Sequence, residues 1–311
     1  MRQVIGIGET ILDILFKDNQ PYAAVPGGSV FNAMVSLSRL DIPALFISEV
    51  GQDRVGDFVT KFMYANGMKT DFIDFFPDGK SPVSLAFLDE QKNADYLFYM
   101  HYPNKRLNTA FPVINQDDIV VLGSYYALNP LLRERMVEFL DYAKERKAII
   151  YYDLNFRKAH AHEAILLRLA IMDNYEYASI VRGSDEDFLN LYGKTDMEKI
   201  YKEEVSFYCK RLVTTHGADG VNLFTSTLQE HYDVPAVVEP VSTIGAGDSF
   251  NAGIVYGLIK YGIGYSDLEN LSALAWEKVI RCGMDLAAEA CLSDSNYISP
   301  EFAVNYKKDC L

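Results

Sequence analysis

The chain is short of cysteine and positive charge, and each shortage closes off a class of function. Its 311 residues include four cysteines (Cys209, Cys282, Cys291 and Cys310), none in a CxxC pair or at metal-like spacing. That excludes a zinc ribbon or a disulfide scaffold and points to a reducing compartment. Lys and Arg together number 29 against 43 Asp and Glu, a formal net charge of −14 with no basic run. Such a surface repels nucleic acid and anionic membranes, so neither is expected as a partner. No stretch approaches the ~20 consecutive apolar residues that cross a bilayer. The opening segment MRQVIGIGETILDIL is interrupted by Glu9 and Asp13 and lacks a small-residue cleavage site, so it does not read as a signal peptide. The expected location is the cytoplasm. The Walker A pattern GxxxxGK[ST] is missing, and GIGET has Ile11 where a dinucleotide fingerprint needs its third glycine.

What remains is ordinary globular material, 49% hydrophobic and 23% charged, with 20 Gly and 11 Pro. Short apolar runs (VIGIG at 4–8, ALFISEVG at 44–51, then DDIVVLGS, KAIIYYDLN and YASIVRGS) alternate with helical patterns. One such pattern is 29–40, with Ser29 as its N-cap, and another is 130–146. This alternation predicts βαβ units around a mostly parallel sheet with helices on both faces, a sheet that binds ligands beyond the carboxyl ends of its strands. Residues 70–102 break the rhythm with two β-rich runs around the polar turn DEQKNAD. They predict an antiparallel hairpin inserted as a small lid sheet, with a further strand near 14–24, and its exposed edge suits a homodimer surface. No linker or internal repeat divides residues 1–311, which read as one domain.

The densest chemistry lies at 241–253, VSTIGAGDSFNAG. Phe250, Ile254 and Leu258 recur every four positions behind it, an apolar helical stripe that Gly262 closes. Gly245, Ala246 and Gly247 therefore present free backbone N–H groups at the positive end of a helix, an anion hole. Asp248 sits in the first turn, where a carboxylate can take the proton of a hydroxyl attacking a bound phosphoryl group.

Here the sequence resembles the ribokinase-like (pfkB) carbohydrate kinases, whose signature DTxGAGD is matched by STIGAGD at 242–248 except in its first position. The resemblance extends over nearly the whole chain, through further pieces in the same order. VPGGSVFN is similar to the family's sugar-binding element, implying substrate contacts from Gly27, Gly28 and Asn32. Asp13 in GETILDIL matches the aspartate that accepts sugar hydroxyls. VGQDRVGD at 50–57 matches a positional landmark. YDLNFR resembles a segment of the fructokinase and 2-keto-3-deoxygluconate kinase branch, where Arg157 would meet the transferred phosphate or an acidic substrate group. RGSDEDFLNLYG falls where the family has NxxE. It puts Ser184 at the nucleotide site and Asp187 near Mg²⁺ through water, with Glu186 as its neighbour and alternative. LVTTHGADGVNLF implies nucleotide contacts from Thr215, Gly217 and Gly220, with His216 structural.

The resemblance implies a ribokinase-like α/β fold and phosphorylation of a sugar hydroxyl by MgATP, with Asp248 as base. The segment SPVSLAFLDE…YLFYM is closest to the fructokinase lid, although Met100 and His101 follow Tyr99 where that lid ends in Arg. Fructose or a related ketose is the expected acceptor. A 2-keto-3-deoxy sugar acid is the alternative, followed by a sugar-binding regulator that has lost catalysis. Relatives with Asp at the position of Ser242 use that loop in monovalent-cation activation. A neutral hydroxyl is a poorer ligand, so little K⁺ dependence is expected.

Overall fold

The computed structural model describes residues 2–88, 94–234, 240–293 and 295–308. Its strands are β1 (Val4–Ile7), β2 (Ile11–Lys17), β3 (Gln20–Gly27), β4 (Ala44–Gly51), β5 (Ile73–Phe76), β6 (Lys80–Leu88), β7 (Ala94–His101), β8 (Ile119–Gly123), β9 (Ile149–Asp153), β10 (Ile180–Ser184), β11 (Leu212–Thr215), β12 (Val221–Phe224) and β13 (Gln229–Tyr232). The helices are α1 (Ser29–Arg39), α2 (Arg54–Ala65), α3 (Arg133–Glu145), α4 (Ala164–Tyr177), α5 (Asp185–Tyr192), α6 (Met197–Ile200), α7 (Ala246–Lys260), α8 (Ala273–Ala290) and α9 (Pro300–Lys308).

Among the described residues, nine strands form one sheet in the order β13-β12-β11-β10-β9-β8-β1-β4-β5. It is parallel from β11 to β5, and β12 and β13 are added antiparallel at one edge. Alternate strand residues feed two cores. Val4, Phe46, Val121 and Tyr151 pack with α1, α7 and α8, while Ile5, Ile47, Leu122 and Tyr152 pack with α3 and α4. Because both faces are covered, the strands read as continuous apolar runs. The chain starts at β1, builds outward to β5, then returns to β8 on the other side of β1. The crevice at the carboxyl ends of β1 and β8 is thus a topological switch point, where such sheets bind ligands.

The smaller sheet has the order β3-β2-β6-β7. The strand expected near 14–24 is a hairpin of two, β2 and β3, joined by Asp18 and Asn19 at φ 51° and 58°. Two successive residues with positive φ make the turn whose twist matches the flanking strands, and Asp and Asn tolerate it best. The expected hairpin at 70–102 is narrower than the sequence indicates. β5 pairs with β4 at the edge of the large sheet, and only β6 and β7 enter the small one. The turn of that hairpin, at 89–93, lies outside the described residues.

Two local details tie the sheets together. Asp53 caps α2, accepting from Val55 N and Gly56 N at 3.0 and 2.9 Å, and also accepts from Ser81 N and Ser81 Oγ at 2.9 and 2.8 Å. The landmark turn at 50–57 thereby fastens the base of the lid strand β6 to the body. Glu49, buried at the end of β4, is bound by the Arg106 guanidinium and by Leu107 N at 3.0 Å, just beyond β7. Arg106 in turn lies 3.4 Å from the centroid of the Tyr102 ring.

Candidate active site

α7 begins where the sequence places it, with Gly245 as N-cap and Asp248 in its first turn. Gly245 has φ +79°, and a Cβ there would lie 2.3 Å from the carbonyl oxygen of Asn296. Only glycine satisfies both the left-handed backbone and that close approach. No side chain among the described residues caps this helix start, where Ala246 N donates to Thr243 O at 3.3 Å, so its dipole and the other N–H groups of the first turn remain available to an anion.

The Asp248 carboxylate is held by α1. Ser29 Oγ donates to Oδ1 at 2.7 Å and Asn32 Nδ2 donates to Oδ2 at 2.8 Å. The two donors are three residues apart, on one face of the helix. The cap assignment of Ser29 is therefore corrected. Gly28 is the N-cap, at φ +129°, and Ser29 is the first helical residue with its hydroxyl committed to Asp248. A Cβ on Gly28 would lie 2.3 Å from Glu9 O, which is why the second glycine of that pair stands there. Burial pushes the Asp248 carboxyl up to about 6, reinforced by the charge of Asp153, while the Asn32 and Ser29 hydrogen bonds and the charge of Arg157 hold it down. A carboxyl near 6 is ionised at neutral pH and still a competent proton acceptor.

Asn32 Oδ1 is buried and accepts no hydrogen bond among the described residues. An open buried acceptor beside the base is the group a sugar hydroxyl would satisfy. Asp13 stands nearby on β2, with the Ser84 hydroxyl bonded to it, and a Cβ on Gly27 would lie 2.7 Å from its Oδ2. Burial raises Asp13, and Ser84 and Arg157 lower it. Arg157 is exposed just after β9. Its charge lowers Glu9, Asp13, Tyr96 and Asp248 alike.

Of the residues expected at the nucleotide, Thr215 has its Oγ1 accepting from Arg182 Nη2 at 2.6 Å. Gly217 (φ +55°) and Gly220 (φ +110°) form the turn between β11 and β12. His216, expected to be structural, has its Nε2 2.9 Å from both Thr214 Oγ1 and Asn222 Nδ2. Ser184 and Asp187 form a capping box at the start of α5: Asp187 N donates to Ser184 Oγ at 3.1 Å and Ser184 N to Asp187 Oδ2 at 2.7 Å. Asp187 is buried, whereas Glu186 is exposed. No cluster of three metal-ligating His, Cys, Asp or Glu side chains occurs among the described residues. Ser242 Oγ accepts from Ile244 N at 3.2 Å, and Val241 N and Ser242 N both donate to Cys291 O.

Several residues of this site were given no role by the motif reading, although some stand inside the quoted segments. Arg182 is ion-paired with Asp153 at 3.0 Å, with side chains 7% and 2% exposed. Asn251 Nδ2 donates to the second Asp153 oxygen at 2.8 Å, and Tyr151 OH donates to Asn251 Oδ1 at 2.9 Å. Glu9 and Tyr96 both feel the charge of Asp13, and Asn296 touches both glycine turns. The available signal was a charged residue inside an otherwise apolar strand, as in SIVRGS and IIYYD.

Comparison with known proteins bears on the whole arrangement. The family model for pfkB family carbohydrate kinases matches residues 1–301. The chain belongs to that family. Among curated pfkB relatives, a fructokinase of Vibrio alginolyticus is 25% identical over 279 residues, 89% of this chain and 90% of its own. 5-Dehydro-2-deoxygluconokinase 1 of Bacillus cereus is 26% identical over 280 residues, 83% and 82% of the two chains. Of solved structures, the Vibrio cholerae O395 fructokinase double mutant with fructose, ADP and potassium ion superposes with a TM-score of 0.81 at 22% identity, covering 95% and 94% of the two chains. The aminoimidazole riboside kinase of Salmonella enterica gives 0.78 at 21%, covering 98% and 100%. The fold is thus that of the pfkB kinases, and the protein is a sugar kinase. Within that fold the GAGD turn, the GG…N element and Asp13 lie together, with Asp248 bonded to Ser29 and Asn32 and Gly27 against Asp13.

Proposed function

We propose that the protein transfers the terminal phosphoryl group of ATP to a hydroxyl of a neutral ketose, fructose first among candidates. The observation that carries this reading is the Asp248 carboxylate, fixed by Ser29 and Asn32 and standing at the mouth of an uncapped helix start. Asp248 accepts the proton of the acceptor hydroxyl as its oxygen forms a bond to the phosphorus and the bond to the ADP oxygen breaks. Backbone N–H groups of the Gly245–Gly247 turn face the transferred group. Asp13, Gly27, Gly28 and Asn32 orient the sugar, Arg157 meets the phosphoryl oxygens, and Thr215, Gly217, Gly220 and Ser184 border the nucleotide. Mg²⁺, when bound with ATP, neutralises phosphate charge. The lack of a preassembled acidic cluster among the described residues fits an ion carried mainly by phosphates and water, with Asp187 or the exposed Glu186 contributing through water.

A second reading takes a 2-keto-3-deoxy sugar acid as substrate, with Arg157 on its carboxylate. It draws support from the deoxygluconokinase relatives. A regulator without catalysis would have no use for the base or the uncapped turn.

The small sheet acts as a lid. Its outer strand exposes Leu97, Phe98, Tyr99 and Met100, so the same sheet is the surface proposed for a homodimer. The deciding experiment is a coupled ATPase assay over ketoses, aldoses, sugar acids and nucleosides. Fructose leading supports the reading, a sugar acid leading moves it to the second, and ligand binding without ATP consumption would favour the regulator.

A further inference from the structure

Beneath the proposed reaction centre lies a buried ion pair, Arg182 with Asp153, whose residues fall inside the YDLNFR and RGSDEDFLNLYG segments without a role read for either. A Cβ on Gly247 would lie 3.2 Å from both Arg182 Nη1 and Nη2, so the guanidinium packs directly against the backbone of the anion hole. Its Nη1 donates to Asp153 Oδ1 and its Nη2 to Thr215 Oγ1, while its Nε is buried with no partner among the described residues. The other oxygen of Asp153 is 3.4 Å from Ser29 Oγ, whose single proton is already directed to Asp248 at 2.7 Å. One hydroxyl therefore stands between two carboxylates.

We propose that Arg182, Asp153 and Ser29 form a positioning relay that fixes the Asp248 carboxylate and holds a compensated positive charge under the Gly245–Gly247 turn. While Asp248 is ionised, the Ser29 hydroxyl donates to it. Once Asp248 carries the substrate's proton, the hydroxyl turns its own proton toward Asp153, and no covalent bond of Ser29 changes. Arg182 keeps Asp153 ionised, which a carboxylate at this depth requires. The charged and titratable groups facing Asp248 are few among the described residues. They are Asp153 from β9, Arg157 from the segment after it, Tyr96 from the lid, and Arg182 from β10 below. Of these, only Arg182 and Asp153 are fixed in the body as a pair.

The inference rests on Asp248 being the base, but its test is separable from turnover. The protein is labelled with ¹³C at aspartate carboxyls, and the Asp248 signal is assigned by its loss in Asp248→Asn. Its titration is then followed in the free enzyme. Asp153→Asn removes a neighbouring negative charge and should lower the midpoint by about one pH unit, and Arg182→Met should raise it by about as much. Ser29→Ala removes a donor to the ionised form and should raise it, whereas Arg182→Lys should stay near wild type. Opposite shifts from the two halves of one ion pair are what a merely structural pair would not give. If Arg182→Met or Asp153→Asn fails to fold, Ser29→Ala decides: an unmoved midpoint in that variant overturns the proposal. Loss of the sugar-kinase reading would instead appear as wild-type protein that turns over no acceptor.

Discussion

The two sheets of this molecule solve different problems. In the large sheet, Val4–Ile7 and Ile149–Asp153 are buried at every position, with helices on both faces. In the small sheet, Leu97, Phe98, Tyr99 and Met100 are each about half exposed along one edge strand. The body supplies Asp248, Ser29, Asn32, Asp153 and Arg182 on elements packed from both sides, whereas the lid supplies Asp13, Ser84 and the approach of Tyr96. The division puts the proposed base in the part buried from both sides and part of the proposed recognition in the more exposed sheet. Preorganised groups lower a barrier only if they are already in place when charge develops, while a lid must open to admit substrate.

The sharpest way to break the comparison is to remove the base and leave the rest intact. Asp248→Asn is expected to lower kcat by about 10²–10⁴, with sugar binding by calorimetry retained. The amide can be accommodated without disturbing Asn32. Its oxygen accepts from Asn32 Nδ2 and its NH₂ group donates to Ser29 Oγ, whose own proton turns toward Asp153, so Asn32 Oδ1 stays open to the sugar. A variant with near-normal turnover would place the base elsewhere, and one that loses sugar binding would put Asp248 in recognition.

Next in size is the pH dependence of the wild type. The Asp248 carboxyl is raised from 3.8 to about 6 by burial. The base must be ionised, so kcat/KM should be constant above about 6 and fall about tenfold per unit below it. Stability runs the other way. A carboxyl raised on folding favours the folded state as it protonates, so this group's contribution increases as pH falls from about 6 toward 4 and is absent at neutral pH. Activity and thermal stability should therefore diverge in that window, and Asp248→Asn should abolish the divergence. Parallel loss of both would mean that acid unfolding sets the limb.

How much of this was legible in the sequence follows the same division. The parallel body could be read because buried strands and amphipathic helices write their periodicity directly into residues such as Val4–Ile7 and Phe250–Ile254–Leu258. The GAGD turn could be read because glycines are forced by backbone geometry, as at Gly245. The lid was harder. Strand pairing between β2 and β6 joins segments distant in sequence, and nothing local distinguishes Ile73–Phe76, which joins the body, from Lys80–Leu88, which does not. Ser29 misled for a related reason: a serine before an apolar helix is normally its cap, and only the fold brings Asp248 near enough to take its hydroxyl. Arg182 and Asp153 stood inside quoted motif segments, but their pairing was hidden because an ion pair closed across two strands leaves no spacing to recognise.

The hinge between the regions gives a smaller effect. Asp53 is pushed up by burial, but its bonds from Gly56, Ser81 and Val55 more than offset this, and the carboxyl lies below its ordinary value. Its stabilising contribution is accordingly complete above the unfolded value and lost as pH falls through the lowered one. Asp53→Ala removes a helix cap, which costs about 1 kcal/mol, and also releases Ser81 at the base of β6. Steady-state kinetics should show a raised KM for the sugar with kcat nearly unchanged. An equal fall in kcat would show that the lid's base also positions the reaction centre.

The smallest effect expected is that of monovalent cations, and it tests whether the body's phosphate turn is complete without one. The fructokinase double mutant of Vibrio cholerae O395 was solved with potassium ion bound. In this chain the loop before the turn is held by protein groups instead. Ser242 Oγ accepts from Ile244 N, and Cys291 O accepts from both Val241 N and Ser242 N, at 2.8 and 3.4 Å. A carbonyl occupied by two N–H donors, beside a neutral hydroxyl in place of a carboxylate, offers a cation little. Exchanging K⁺ for tetramethylammonium at constant ionic strength should leave kcat unchanged, and Ser242→Asp should introduce K⁺ activation. Strong activation of the wild type by K⁺ would mean that this loop reorganises around the ion, and that the turn holding Asp248 is less fixed than its hydrogen bonds indicate.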